Sequence, residues 1–286
     1  MDSSKGEQIY AVVGASSDVG KAVVGRLLAS GHRVRSVTRN AGVPLDDPSA
    51  LARAFEGAAG TFVMIPFDQQ ADDLHARERE VGDRLALALR AAGVRRVVLL
   101  SGLNAHLRRG TSLGAAWMEE HLEVAEPVYL RAGWFMENFS RGLGFVAQAS
   151  TGRFATPFRA DRPMPMVSAG DVGRLAAELL LEEVRPTSKV RELHGGGDYT
   201  MAQATAILGR AIGKPTLEYL QVSAQDARDN MVASGMSRSF AEAVLETAQS
   251  FNAEEPWALE PRSLRSSSPT SLECWAADTL AVGVGQ

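Results

Sequence analysis

Apolar residues arrive in two rhythms along the first two-thirds of this chain. Short unbroken runs such as IYAVVG (9–14), TFVMIP (61–66) and RRVVLLSG (95–102) alternate with stretches where apolar residues recur every three or four positions, as in VGKAVVGRLLAS (19–30). A short run bounded by turn residues reads as a buried strand, and the slower recurrence as an amphipathic helix. On this reading strands over 9–14, 32–39, 61–66, 95–102, 127–133 and 190–195 alternate with helices over 19–30, 48–58, 71–92 and 113–125. Gly31 and Gly93 stop two of those helices. Strand–helix alternation of this kind implies right-handed crossovers and a parallel sheet covered on both faces.

The last third changes character. A helix over 199–215 opens at Thr200 and closes at Gly213-Lys214-Pro215, and 217–222 reads as one more strand. Helical patterns then dominate, interrupted by a Pro- and Ser-rich stretch over 253–271 that is expected on the surface. The predicted fold class is α/β: a Rossmann-type doubly wound parallel sheet with a small, mainly helical C-terminal lobe. The expected division is 1–197 for the core and 198–286 for the lobe, with some exchange of segments. A ligand in such a fold belongs in the crevice at the carboxyl ends of the strands, with the second lobe as one wall.

Composition narrows the function classes. The chain has 286 residues, 45% hydrophobic and 22% charged, with a net charge of −4. Its arginines are scattered, so nucleic acid is not an expected partner. No segment has the length of a membrane span, and the polar start MDSSKGEQ has no apolar signal core. The single cysteine, Cys274, excludes an internal disulfide and reads as a buried structural thiol. The expectation is a cytoplasmic protein with a small-molecule substrate, in which a homodimer is allowed. No histidine has another at i+4, so no zinc site is expected, and there is no Gly-x-Ser-x-Gly hydrolase elbow.

The segment VVGASSDVGK (12–21) carries the first candidate chemistry. A phosphate loop needs a sharp turn after the first strand and a helix starting there, so that free N–H groups and the positive helix end face the anion. Gly14 supplies the turn, Val19 onward the helix, and Gly20 close helix–strand packing. Ser16, Ser17 and Val19 complete the expected contacts, with the Ser17 hydroxyl reaching a phosphate oxygen. The second strand ends Ser36-Val37-Thr38-Arg39, with no acid before Asp46 to hold a ribose 2′-hydroxyl. Arg39, with Arg35 as a weaker second candidate that strand alternation turns to one face of the sheet, suits a 2′-phosphate. NADP(H) is therefore expected ahead of NAD(H).

The chain resembles the NmrA-like family, atypical members of the short-chain dehydrogenase/reductase superfamily. The resemblance lies in GASSDVG, VTRN, VVLLSGLNAH, VYLRAGWFMENF, PMVSAGDVGRLAAELL and ELHGGGDYTMAQATAILGRAIGKP, and it runs over nearly the whole sequence. It implies a Rossmann-type core, NADP(H) preference and a substrate cleft between core and lobe. Three departures stand out. Ser17 replaces the family's middle glycine. Only AGVPL separates Arg39-Asn40 from Asp46, which leaves a stub where the family has a third strand. The superfamily's Tyr-x-x-x-Lys relay is absent: the residues four positions after Tyr10, Tyr129, Tyr199 and Tyr219 are Gly14, Gly133, Gln203 and Ser223.

Other residues must then serve the chemistry. Ser101, Asn104 and His106 follow the strand over 95–102 and offer a hydroxyl, an amide and an imidazole. Ser101 matches a position where the superfamily often has a catalytic serine, and histidine can act as a general acid. Pro66 is expected against the cofactor, and Phe67, Trp134, Phe135 and Asn138 against an apolar substrate. The leading expectation is an NADP(H)-dependent oxidoreductase passing hydride to a quinone- or carbonyl-type substrate. The alternatives are an NADP(H)-sensing regulatory protein without turnover, and a non-redox enzyme that keeps the fold.

Overall fold

The strands that start at Ile9, Arg33, Arg96 and Glu126 each end where a glycine or a capping residue takes over the chain, at Gly14, Thr38, Gly102 and Gly133. In the computed structural model, which describes residues 7–182 and 188–280, the core runs β1 (Ile9–Val13), α1 (Asp18–Ala29), β2 (Arg33–Val37), α2 (Pro48–Phe55), β3 (Gly60–Val63), α3 (Leu74–Ala91), β4 (Arg96–Gly102), α4 (Leu113–His121) and β5 (Glu126–Ala132). Short side chains start the helices by accepting a backbone N–H two or three residues on. Ser17 does this for α1, Asp47 for α2 with Pro48 in the first turn, and Asp73 for α3.

The chain then leaves the core through β6 (Trp134–Phe135), α5 (Glu137–Ser140), α6 (Phe145–Ala149), β7 (Arg153–Thr156) and β8 (Met164–Val167). It returns for α7 (Ala169–Leu181) and β9 (Val190–Leu193), and ends in β10 (Gly197–Tyr199), α8 (Met201–Ala211), β11 (Glu218–Gln221), α9 (Ala224–Ala233), α10 (Arg238–Asn252) and α11 (Leu272–Thr279). Thr200 and Gln203 form a reciprocal capping box at the start of α8.

The main sheet has the order β2-β1-β3-β4-β5-β9, and all its pairings are parallel. Its two faces are buried separately. Val12, Phe62, Val98 and Leu130 pack with α1 and α7, while Val13, Val63, Leu99 and Tyr129 pack with α2, α3 and α4. β2 is the edge strand. Where a further strand would lie, the chain makes a single 3-10 turn over Arg39–Ala41, capped by Thr38, and Pro44 and Asp47 lead into α2.

The lobe is built from two stretches of chain. Trp134, Phe139, Phe145, Phe154 and Phe158 share one core cluster with Met201, Leu208, Phe251 and Trp275, so it takes in residues well before 198. Two small sheets support it, β10-β8-β6 and β11-β7, and their short strands carry no periodicity long enough to read. Rings meet edge to face, Trp134 with Phe139 at 4.8 Å and Phe145 with Phe154 at 4.9 Å. One expectation fails here: Cys274 is exposed, because α11 turns Leu272, Trp275 and Ala276 inward. The stretch 253–271 lies mostly on the surface, as expected, and is tied to the core where Ser266 is buried and its carbonyl accepts the His194 amide at 2.7 Å. No helix among the described residues is long and apolar enough to cross a membrane. The polar residues 1–6 lie outside the described residues.

Candidate functional site

The apolar run of β1 ends at Val13, and Gly14 turns the chain with φ +71°. That left-handed backbone suits glycine. The turn closes with the Ser17 amide on the Gly14 carbonyl at 2.9 Å, and α1 begins at once. A Cβ on Gly20 would stand 2.1 Å from the Gly14 oxygen, so the helix can lie this close only with glycine there. Val19 is buried behind the loop, while Ser16 is exposed on it. Among the described residues the amides of Ser16, Asp18 and Val19 have no protein acceptor. They are the free donors that a helix start offers an anion.

The Ser17 hydroxyl, expected on a phosphate, is engaged elsewhere. Its oxygen accepts the Gly20 amide at 3.0 Å, and it donates to the Met64 sulfur at 3.4 Å. A serine at the N-cap position satisfies its own helix first. Met64, just past β3, also lies over Gly14, so this side chain covers part of the loop. The first helical residue, Asp18, is ion-paired with Arg141 at 2.8 Å. Met64 sits in a run that reads as strand, and Arg141 in a stretch with no predicted element, so neither carries a sequence signal.

The two arginines of the second strand part company. Arg35 donates to the carbonyls of Ala54 and Glu56, where α2 ends, and is therefore a helix C-cap. Arg39 is exposed on the turn after β2, and its side chain makes no hydrogen bond or ion pair to the described residues. It stays available to a 2′-phosphate.

At the carboxyl end of β4, Ser101 and Asn104 are buried to 5% and 3% exposure, yet the Ser101 Oγ and Asn104 Nδ2 have no partner among the described residues. The Asn104 oxygen is held by the Ser112 hydroxyl at 2.7 Å, which fixes the amide's orientation. Buried polar atoms without partners are uncommon and point to a ligand or water. His106 does not stand free as a general acid. Its Nδ1 lies 3.2 Å from the Leu103 carbonyl and its Nε2 lies 3.2 Å from the Pro256 carbonyl, so it joins β4's loop to the 253–271 stretch.

The expected substrate wall divides. Trp134 is 7% exposed and belongs to the lobe core, because its ring is enclosed by Phe139 and Phe158; it is not a lining residue. Phe135 and Asn138 are half-buried, and Pro66 and Phe67 are exposed on the segment after β3. The Phe67 ring meets Phe240 edge-on at 6.1 Å, which sets that segment against α10.

Ser101 has two buried charged neighbours behind this surface that carry no role in the sequence reading above. Ser101, Arg131 and Glu192 are register partners across β4, β5 and β9 and form one polar row on the α4 side of the sheet. Arg131 makes a two-point ion pair with Glu119 of α4, with its Nε at 3.0 Å from Oε1. Glu192 accepts the amides of Leu259 and Glu260 at 2.8 and 3.1 Å and the His194 Nε2 at 3.1 Å. Burial pushes the Glu192 carboxyl up, but these three donors outweigh it and hold the group below its usual value. A cavity of about 340 Å³ opens beside it, lined by Arg162, Pro165, His194, Trp257 and Arg262. A charged residue inside an apolar strand, as in VYLRAG and VRELH, is the signal that finds such groups.

Glu137 is a further carboxylate held by hydrogen bonds. Both its oxygens lie 3.0 Å from the Ala169 amide at the start of α7, and Oε1 accepts the Trp275 indole at 3.1 Å. Burial raises its carboxyl above the ordinary range, and the nearby Asp18 charge adds to this. Glu137 thus fastens α5, α7 and α11 together beside the loop.

Comparison with known proteins agrees with this architecture. The model of the NmrA-like family matches residues 7–276. The chain is 25% identical over 280 residues to the uncharacterized oxidoreductase YesF of Bacillus subtilis (strain 168), covering 93% of each. An Escherichia coli NADPH-dependent quinone oxidoreductase, solved with NADPH, superposes with a TM-score of 0.69 at 20% identity, over 95% of this chain and 99% of that one. NmrA, a negative transcriptional regulator solved with NADP, gives a TM-score of 0.69 at 17% identity, over 97% of this chain and 96% of that one.

Proposed function

The chain belongs to the NmrA-like family, and from that premise we propose that it is an NADP(H)-dependent oxidoreductase acting on a small, partly apolar quinone- or carbonyl-type substrate. The observation that carries this reading is the loop itself. A glycine turn and a helix start with free amides stand at the carboxyl end of β1, while unpartnered Ser101 and Asn104 atoms wait at the carboxyl end of β4. The residues therefore fit a dinucleotide at both ends.

Bound there, NADPH supplies the hydride. The amides of Ser16, Asp18 and Val19 hold the pyrophosphate, and Arg39 pairs with the 2′-phosphate. The Ser101 hydroxyl and the Asn104 amide satisfy themselves on the nicotinamide end or on the substrate oxygen. Phe67, Phe135 and Asn138 border the substrate, and Pro66 the cofactor. No tyrosine–lysine pair stands on α4, whose sequence is LGAAWMEEH. An acceptor that delocalises the incoming charge needs no strong acid, so quinone-like substrates suit this site better than simple ketones.

The missing relay also favours a second reading, a protein that binds NADP(H) and regulates a partner without turnover. The likeness to NmrA supports it. One experiment separates the two. The protein is titrated with NADPH and NADH by tryptophan fluorescence, and bound NADPH is then offered a panel of quinones and aldehydes. Oxidation of NADPH by quinones is the expected result. Tight binding with no oxidation by any acceptor would establish the regulator, and no binding of either nucleotide would defeat both.

A further inference from the structure

The ion pair between Asp18 and Arg141 stands at the one place where a dinucleotide would bring its densest negative charge. We propose that Arg141 is a pyrophosphate-binding residue, parked on Asp18 until the nucleotide arrives. The proposal rests on the dinucleotide reading above.

Asp18 is the first residue of α1, beside the free amides of Ser16, Asp18 and Val19. A carboxylate there suits the helix dipole. It also repels any second anion brought to the same amides. The Asp18 charge is felt locally, since it contributes to the raised carboxyl of Glu137. A pyrophosphate therefore binds well only if a cation offsets Asp18.

Arg141 is that cation. Its Nη2 lies 2.8 Å from Asp18 Oδ1, so the guanidinium already sits one hydrogen bond from the first side chain of α1. The side chain is 67% exposed, and Asp18 is its one side-chain partner among the described residues. An exposed pair of this kind is weakly held and easily exchanged. A guanidinium that gains phosphate oxygens forms shorter, charge-assisted bonds and can use two N–H groups at once. Arg141 also lies on the short link between α5 and α6, flanked by Gly142 and ended by Gly144 at φ +58°. The lobe thereby reaches the phosphate loop through a residue free to turn from the carboxylate to the ligand.

The test is a double-mutant cycle read by NADPH binding, using calorimetry at low and high salt. Arg141→Ala is expected to weaken binding about tenfold or more, with a shallower salt dependence, as loss of a charge-assisted bond requires. Asp18→Asn is expected to tighten binding about threefold by removing the repulsion. In the double variant, binding should stay about tenfold weaker than in Asp18→Asn alone. If the double variant instead binds as tightly as Asp18→Asn, Arg141 only neutralises Asp18 and the proposal fails. It also fails if Arg141→Ala binds like the unaltered protein. Absence of NADPH binding by the unaltered protein and all three variants would overturn the dinucleotide reading, and this inference with it.

Discussion

The Ser17 hydroxyl accepts the Gly20 amide at 3.0 Å, so the residue that replaces a glycine in the phosphate loop is the cap of its helix. The two roles conflict, because a side chain at this position stands where the backbone would approach the pyrophosphate. Ser17→Ala should destabilise the protein by about 1 kcal/mol through loss of the cap. Ser17→Gly should cost only a few tenths of a kcal/mol, about what a glycine cap loses, and should bind NADPH more tightly. Urea unfolding and fluorescence titration of both variants measure the two effects. Equal NADPH affinity in Ser17→Gly and the unaltered protein would show that the side chain is no obstacle.

Arg39 and Arg35 lie four residues apart and should answer differently. Arg39→Ala removes an exposed guanidinium with no structural partner, so stability should hold within about 0.5 kcal/mol. Its NADPH affinity should fall about tenfold while NADH affinity stays the same, since only the former carries the 2′-phosphate. Arg35→Ala should leave the NADPH/NADH ratio alone and lower the unfolding midpoint, because it uncaps α2 at Ala54 and Glu56. A ratio unchanged in Arg39→Ala would defeat the 2′-phosphate assignment.

This contrast shows what the sequence could carry. β1, β3 and β4 were legible as short unbroken apolar runs, and the missing outer strand was legible because AGVPL is too short to cross the sheet. The lobe's β6, β7, β8 and β10 were not: they have two to four residues, and unlike β3 within TFVMIP they lie in no apolar run of that length. Within the site, Gly14, Gly20 and Arg39 could be placed by their order along the chain. Ser17 reads as a phosphate contact, whereas its hydroxyl caps α1, because capping is decided by a local geometry that a motif does not display. Trp134 reads as a pocket aromatic and packs as core for a similar reason: which face it takes depends on Phe139 and Phe158, the latter 24 residues on. Long-range pairs such as Arg141 with Asp18 leave no trace in spacing at all.

Ser101 carries a buried hydroxyl with no partner among the described residues. Removing an unsatisfied buried hydroxyl relieves a desolvation cost of about 1–3 kcal/mol. Ser101→Ala should therefore leave stability unchanged or raise it slightly, while lowering kcat with quinones about tenfold or more. Thermal unfolding and steady-state kinetics on the same preparations check the pair of outcomes. A destabilised Ser101→Ala with unchanged kcat would mark the hydroxyl as structural.

Arg131 and Glu119 are buried together, 9% and 7% exposed at their side chains. Glu119→Ala leaves the buried guanidinium without its ion-pair partner and should cost about 3–5 kcal/mol. Replacing both residues by methionine should cost far less, since the pair's desolvation disappears with its attraction. Urea midpoints of the single and double variants give the comparison. Similar losses in both would mean that the pair contributes stability beyond mutual neutralisation.

Glu192 gives the protein an acid-sensitive fastening. Its carboxylate holds the Leu259 and Glu260 amides, and so holds the stretch that walls the 340 Å³ cavity. Burial alone would raise its pKa, but the His194, Leu259 and Glu260 donors hold it below the usual value. The unfolded chain therefore binds this proton more readily than the folded one. The stability this group contributes is present in full above the ordinary carboxylate range, near pH 4.3, and is lost as pH falls through the lower folded value. Glu192→Gln should be less stable than the unaltered protein at pH 7, with the gap narrowing steadily below about pH 4. Urea midpoints between pH 7 and pH 3 measure the gap. Glu137 works in the opposite sense: its raised folded pKa means that its contribution is fully present below the ordinary carboxylate range and declines as pH rises through the folded value. Glu137→Gln should thus change the slope on the neutral side of that range and leave the acid limb as it is. A gap for Glu192→Gln that stays constant across the whole pH range would show that its carboxylate is not what the stretch over 256–262 is fastened to.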